Sequence, residues 1–196
     1  MRLVVPIVSK HLRIKSGWLD QSNVSQCPSP NYNSRPANTE ISLLVIHNIS
    51  LPPENFGTGL VQHFFQNKLD CDAHPYFDAL RNLEVSAHCF IERDGTLTQF
   101  VSFDDRAWHA GASEFEGRSN CNDFSVGVEL EGADNIQYTE AQYNKLIELT
   151  SCLMASYPRI TPERVVGHSD IAPGRKTDPG EAFQWKQFRA ALMSER

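Results

Sequence analysis

The sequence predicts an α/β fold of one domain, in which a central mixed β-sheet is flanked by α-helices. Segments with the pattern of strands alternate along the chain with segments that have the pattern of helices. At least one pair of strands is joined by an Asp-Gly turn, which indicates an antiparallel hairpin within the sheet. The length of 196 residues and the apolar content of 40% fit a single domain with a substantial core, and we assign residues 1–196 to it.

Residues 21–40 are predicted to be an irregular lead loop, because they are rich in Ser, Asn and Pro. The apolar run before them, residues 1–8, is shorter than a secretory signal, and charged residues follow it from Lys10 onward. The sequence contains no run near the ~20 apolar residues of a membrane helix. Five scattered cysteines without a CxxC pair indicate free thiols and not a disulfide framework. These features predict a cytoplasmic protein without membrane contact.

The first half of the sheet and its first helix are predicted from apolar patterns. Leu43–His47 is a short, continuous apolar run that ends on a histidine, as expected of a strand covered on both faces. Apolar residues recur at helical spacing over residues 59–68, which predicts a helix. A hairpin is predicted over residues 86–101, with its turn at Asp94-Gly95.

The second half contains one alternating strand and two helices. Ser125–Glu131 alternates, so that Val126, Val128 and Leu130 face one way and Gly127, Glu129 and Glu131 the other. Residues 139–142 form a capping box, which predicts the start of a long amphipathic helix. A last helix is predicted over residues 181–193, burying Trp185, Phe188 and Leu192.

The charge pattern argues against a nucleic-acid partner. The chain has 18 Lys+Arg against 24 Asp+Glu, giving a net charge of −6. Nucleic-acid affinity depends on clustered Lys and Arg, and the sequence shows only isolated pairs of them.

Three residues have the side chains of an open zinc site. His47 ends the first core strand, His168 follows another short apolar run, and Asp178 lies in the Pro- and Gly-rich segment after it. Catalytic zinc takes about three protein ligands and keeps a fourth position for water. Spacing alone leaves alternatives open. An isolated histidine is more often a core or surface residue than a ligand, and Asp178 before Pro179 could simply start the last helix.

Five segments stand out in order along the chain: Val45–Asn48, Ser86–Gly95, Ala107–Gly111, Cys121–Gly132 and Gly167–Gly180. Together they resemble the zinc-dependent N-acetylmuramoyl-L-alanine amidases (amidase_2), whose fold is shared with the peptidoglycan recognition proteins. The last segment is most similar to the cytoplasmic branch that acts on 1,6-anhydro-muramoyl peptides. The resemblance implies a zinc hydrolase of peptidoglycan recycling. Such an enzyme cleaves the amide bond between the lactyl group of (1,6-anhydro-)N-acetylmuramic acid and L-alanine, and we expect a monomer.

The resemblance implies one zinc per chain, held by His47, His168 and Asp178. It also implies Glu129 as the catalytic base and Lys176 as the stabiliser of the transition state. The strand pattern agrees with the role of Glu129, because this residue projects from the side opposite the apolar positions.

For Glu129, Lys176 and the charged residues near them, an ordinary surface position is the alternative to a role in catalysis. A solvent-facing strand residue is the alternative for Glu129 and the better interpretation of Glu131. Lys176 could be an ordinary surface lysine, and Arg175 beside it is expected to be a surface cation.

The motif residues around the metal are candidate substrate contacts: Asn48, His88, Ala107, Trp108 and His109. Trp108 could equally pack in the core, and Asn48 could cap its own loop. Glu84 and Asn120 stand where the family often has arginines, which leaves the preferred stem peptide open.

Three alternative functions are weighed against the recycling enzyme. A peptidoglycan-binding module without catalysis would be marked by the loss of a zinc ligand, and all three are present. A structural domain with incidental histidines would bind no zinc. A secreted wall-degrading amidase would need a signal or a wall-binding repeat, and the sequence shows neither.

Overall fold

The computed structural model describes residues 12–20 and 24–194; the apolar run over residues 1–8 lies outside them. The strands are β1 (Ile14–Lys15), β2 (Trp18–Leu19), β3 (Val24–Gln26), β4 (Tyr32–Ser34), β5 (Leu43–Ile49), β6 (Cys89–Ile91), β7 (Leu97–Gln99), β8 (Asp105–Ala107), β9 (Glu114–Phe115), β10 (Arg118–Ser119), β11 (Ser125–Glu131) and β12 (Val165–Gly167). The α-helices are α1 (Leu60–Phe65), α2 (Glu140–Ser156), α3 (His168–Ile171) and α4 (Trp185–Ser194). Short 3-10 helices cover Pro75–Leu80, Cys121–Asp123 and Pro162–Arg164.

The predicted mixed sheet is confirmed. Six strands pair in the order β12-β5-β11-β6-β7-β3. The pairs from β12 to β6 are parallel, β6 and β7 form the antiparallel hairpin predicted from Asp94-Gly95, and β3 is parallel to β7. Because β5, β11 and β12 are parallel neighbours, the residues at their carboxyl ends meet at one edge of the sheet.

The two faces of the sheet pack against different groups of residues. One face carries the main core, in which β5, β11, α2 and α4 contribute Leu44, Ile46, Val126, Val128, Leu130, Leu146, Leu149, Leu153, Phe188 and Leu192. The other face carries Leu43 and Val45, which belong to a separate cluster with Ala110 and Phe124. His47 continues this second face because side chains alternate along a strand. The alternation predicted for β11 therefore separates a core face from a site face.

Helix α2 begins at the predicted capping box. The hydroxyl of Thr139 accepts a hydrogen bond from the backbone N–H of Gln142, and the Gln142 side chain accepts one from the backbone N–H of Thr139. The Thr139 hydroxyl also donates to the carbonyl of Arg93, at 2.6 Å, which ties the helix to the hairpin turn.

We expect Thr139→Ala to lower the free energy of unfolding by about 1–2 kcal/mol, because it removes both hydroxyl bonds at the start of α2. Urea denaturation at a fixed zinc concentration measures the change. Thr139→Ser keeps the hydroxyl and should stay close to the natural protein; an equal loss in both variants would show that the methyl group matters and the cap does not.

Two predicted boundaries are wrong. The lead over residues 21–40 is not wholly irregular, since β3 pairs with β7 at the sheet edge and β4 pairs with β8. Its polar composition reflects exposed edge positions. The last helix begins at Trp185 and not at residue 181, because the Ala182 N–H bonds to the carbonyl of Asp134, which holds the preceding residues in a turn.

The cysteines and the helices agree with the sequence analysis. All five cysteines are free, and Cys89 and Cys121 are buried. None of the helices over the described residues combines the length and the apolar character needed to cross a membrane.

Candidate active site

Three ligand atoms converge at the carboxyl ends of β5 and β12. His47 lies near the end of β5, and His168 begins α3 directly after β12, whose Gly167 pairs with Ile46 of β5. The two Nδ1 atoms are 3.0 Å apart, and Asp178 Oδ2 lies 3.1 Å from His47 Nδ1 and 3.0 Å from His168 Nδ1. Both histidines are buried, with exposed fractions of 1% and 3%. Residues distant in sequence thus form one compact triangle.

The triangle fits a zinc ion. Zinc bonds of about 2.0–2.1 Å at tetrahedral angles place ligand atoms about 3.3 Å apart, close to the observed edges. Nε2 of His168 lies 3.1 Å from the carbonyl of Ala110, which can only accept, so Nε2 donates there and Nδ1 is the ring nitrogen that faces the triangle. Burial lowers the pKa of His47 to about 4, so this imidazole is neutral at pH 7. Two imidazoles and one carboxylate are typical of a catalytic zinc site with an open fourth position.

Glu129 lies beside this triangle. It is directly opposite His47 in the parallel pairing of β11 and β5, and it points to the same face. Its Oε2 is buried and has no hydrogen-bond partner among the described residues. Burial, followed by the charge of Asp178, raises the pKa of Glu129 well above its ordinary value, and Lys176 opposes the rise. A buried carboxylate oxygen of high proton affinity suits a general base.

Two basic residues lie on the rim of the site. Lys176 is exposed and lines the same cleft as Glu129. Arg175 is exposed, as expected of a surface cation, but its guanidinium is also hydrogen-bonded to the protein. Its Nη2 donates to the carbonyls of Ala110, at 2.7 Å, and Ala112, at 2.6 Å, and so fixes the loop behind His168.

A cleft of about 860 Å³ opens over the triangle. The lining includes the three residues of the triangle, Glu129, Lys176 and Asp134. Apolar and aromatic residues also line it: Leu51, Phe64, Phe65, Tyr76, Leu80, Leu83 and Val85. Tyr76 and Leu83 are 44% and 49% exposed, so apolar surface is available for a ligand. The cleft can hold a ligand of several rings or residues with a scissile bond at the triangle.

The cleft brings together three of the five candidate substrate contacts. Asn48, Trp108 and His109 line it. Asn48 donates to Asp134 Oδ1 at 2.8 Å, and the Trp108 indole N–H donates to Asn33 Oδ1 at 2.8 Å. These hydrogen bonds hold both side chains in place, and both residues still line the cleft.

The other two candidates lie behind the cleft surface. His88 and Ala107 are fully buried and do not line the cleft. Both ring nitrogens of His88 have partners inside the protein, since Nδ1 accepts the N–H of Gly127 and Nε2 lies 3.1 Å from the carbonyl of Asp105. Ala107 ends the β4–β8 pair and packs in a further apolar cluster, with Leu51, Phe65 and Phe100.

The residues that depart from the family pattern also lie outside the large cleft. Glu84 is exposed and lines a smaller neighbouring pocket of about 230 Å³ with Leu83 and Arg81. Asn120 is exposed in a left-handed turn before a 3-10 helix, with φ of 60°.

The comparison with protein families decides the assignment. The family model of N-acetylmuramoyl-L-alanine amidase matches residues 37–181, a range that includes the ligand triangle and Glu129. The chain belongs to this amidase family. Membership in a family of amidases contradicts the alternative of a structural domain without catalysis.

Similar amidases match over nearly the whole chain. The chain is 56% identical to the 1,6-anhydro-N-acetylmuramyl-L-alanine amidase AmpD of Haemophilus influenzae, over 91% of this chain and 96% of that protein. It is 50% identical to the AmpD of Escherichia coli K12, over 93% and 98% of the two chains. A crystal structure of a selenomethionine AmpD derivative superposes with a TM-score of 0.87 at 50% identity, covering 91% of this chain and 98% of that one.

Sequence reasoning missed one residue that organises this amidase site. Asn122 Oδ1 accepts the backbone N–H groups of both His109 and Ala110, at 3.1 and 2.8 Å, and so holds the segment that contacts His47 and His168. Asn122 lies inside the Cys121–Gly132 segment, which resembles the family, but nothing in the local sequence shows that its amide reaches this backbone.

Proposed function

We propose that this chain is a zinc hydrolase that cleaves the amide bond between the lactyl group of 1,6-anhydro-N-acetylmuramic acid and L-alanine of the stem peptide. One observation carries the proposal: a triangle of two imidazoles and one carboxylate lies beside the unpartnered Glu129 oxygen in the lining of a large cleft. A metal position next to a general base is the arrangement that amide hydrolysis by water requires.

His47, His168 and Asp178 would hold one zinc ion per chain. When bound, zinc supplies Lewis acidity, which polarises a carbonyl and lowers the pKa of water at the open position. Glu129 takes the proton from the attacking water through its free Oε2 and returns it to the departing alanine nitrogen. Lys176 stabilises the negative charge that develops on the carbonyl oxygen, since this lysine lines the same cleft and its charge acts on Glu129.

The proposed role in peptidoglycan recycling is supported by the substrate for which the relatives are named and by the size of the cleft. Relatives that match more than nine-tenths of this chain are named for the 1,6-anhydro-muramyl substrate. The cleft has the size of a small ligand. We therefore propose that the substrate of this chain is a small soluble muropeptide. We also propose that the chain acts in the cytoplasm as a monomer, without a nucleic-acid or membrane partner.

We expect higher kcat/KM on 1,6-anhydro-muramoyl tripeptide than on the same peptide attached to a reducing muramic acid, and the least release from intact sacculus. Mass spectrometry of the three incubations, side by side with zinc present, measures it. Equal efficiency on all three substrates would contradict the recycling assignment and leave the amidase chemistry standing. No cleavage of any of them by zinc-loaded protein would contradict the proposed function.

Lys176→Ala is expected to lower kcat by about 10²–10³-fold with stoichiometric zinc retained, because it removes a charge that acts mainly on the transition state. Steady-state kinetics and zinc analysis on the same preparation check both parts. The matched control is Lys186→Ala, an exposed lysine of α4 away from the cleft, which should keep kcat. A raised KM with unchanged kcat would assign Lys176 to substrate binding and not to catalysis.

A further inference from the structure

A chain of hydrogen bonds leads from one proposed zinc ligand into the protein. Nε2 of His47 lies 2.9 Å from Nδ1 of His109, and Nε2 of His109 lies 3.1 Å from the hydroxyl of Ser125. Both ring nitrogens of His109 are therefore engaged inside the protein, although its ring borders the cleft. A side chain used in this way has no ring nitrogen left for the substrate.

The direction of this chain decides whether His47 can bind a metal. If the proton of His47 is on Nε2, it is donated to His109, whose own proton goes to Ser125, and the Nδ1 lone pair of His47 faces Asp178 and His168. If every bond is reversed, Nδ1 of His47 carries the proton and cannot be a ligand. Only the first direction is compatible with a metal in the triangle.

We infer that His109 is a positioning residue of the metal centre. Its Nδ1 accepts the Nε2–H of His47, and this bond selects the tautomer of His47 and the orientation of its ring. The inference rests on the proposed zinc site. The carbonyl of Ala110, the next residue, receives the Nε2–H of His168, so one short segment orients both histidine ligands. Such outer partners of metal-bound histidines typically set tautomer and affinity.

The surroundings of His109 fit this role and not an incidental contact. A Cβ at Gly127 would lie 2.4 Å from Cγ of His109, so the strand leaves room for the ring only because that position is glycine. Asn122 holds the backbone N–H of His109. The Arg35 guanidinium donates to the carbonyls of Asn122 and Ser125, which fixes the two residues that hold His109 relative to each other.

The test compares two substitutions of equal size. Asn and Leu have the same number of side-chain heavy atoms, but only Asn places an acceptor, its Oδ1, near the position of the His109 Nδ1. We expect His109→Leu to raise the dissociation constant for zinc about 10- to 100-fold, and His109→Asn to stay within a few-fold of the natural protein. Competition with a fluorescent chelator at fixed pH measures the affinity, and the melting temperature of each metal-free variant reports on folding.

Ser125→Ala gives a milder variant in case His109→Leu does not fold. It removes only the outer acceptor of the chain and should weaken zinc binding about two- to tenfold. Ser29→Ala is the matched control, because it also removes a buried hydroxyl, one that bonds the carbonyl of Phe65 and faces no ligand. It should change stability without changing zinc affinity.

The outcomes separate this inference from the proposed function. Unchanged zinc affinity in His109→Leu overturns the inference, and so do equal losses in His109→Leu and His109→Asn, which would assign the residue to packing alone. If His109→Leu does not fold, unchanged affinity in Ser125→Ala overturns it. Failure of the natural protein to bind zinc at all would instead contradict the proposed function.

Discussion

Replacement of His47, His168 or Asp178 by alanine is expected to abolish amide cleavage through loss of zinc. The three ligand atoms form one triangle with edges of 3.0–3.1 Å, and each substitution leaves only two protein ligands. Two ligands are too few for a tight zinc site. Loss of Lewis acidity removes several kcal/mol of transition-state stabilisation, so activity should fall by about 10³-fold or more.

Zinc per chain after dialysis, and turnover of the anhydro-muramoyl tripeptide, are measured on the same samples. His63→Ala is the matched control, because His63 is an exposed histidine on α1 and does not line the cleft. It should keep both zinc and activity. Stoichiometric zinc with near-normal turnover in any one of the three ligand variants would remove that residue from the ligand set.

Local sequence patterns predicted the elements that carry the site. The apolar run that ends on His47 became the buried strand β5, and the alternation over Ser125–Glu131 placed Glu129 on the face opposite the core. A parallel pairing of these strands was enough to bring Glu129 opposite His47. Asp178 could not be placed by pattern, because its loop has no periodicity. The family resemblance was needed to separate a ligand from a helix cap.

Long-range hydrogen bonds account for the errors. Glu131 was expected to face solvent because it alternates with apolar residues, but it is buried. It accepts the backbone N–H groups of Gly57, at 2.5 Å, and Arg93, at 3.1 Å. His88 is buried for the same reason, since the backbone N–H of Gly127 donates to its Nδ1. Such partners are distant in sequence, and the local pattern of a polar residue does not show whether water or a distant N–H will satisfy it.

Glu129→Gln is expected to keep stoichiometric zinc and to lower kcat by about 10²–10⁴-fold, the usual contribution of a general base. Glutamine preserves the size of the side chain but cannot take a proton at neutral pH. Glu129 is not one of the three ligand residues, so its substitution leaves the triangle complete. The substitution should also leave the stability of the fold unchanged. Burial raises the pKa of the Glu129 carboxyl well above its ordinary value, and its Oε2 has no hydrogen-bond partner among the described residues.

Glu131→Gln is the matched control for this prediction. It makes the same chemical change on the same strand and face, but at a carboxylate that binds the backbone N–H groups of Gly57 and Arg93. We expect it to lower the melting temperature and to leave kcat nearly unchanged below that temperature. Glu129→Gln should show the opposite pattern, because its carboxylate acts on water and not on the fold. Equal kcat losses in the two variants, or loss of zinc from Glu129→Gln, would remove the assignment of Glu129 as the base.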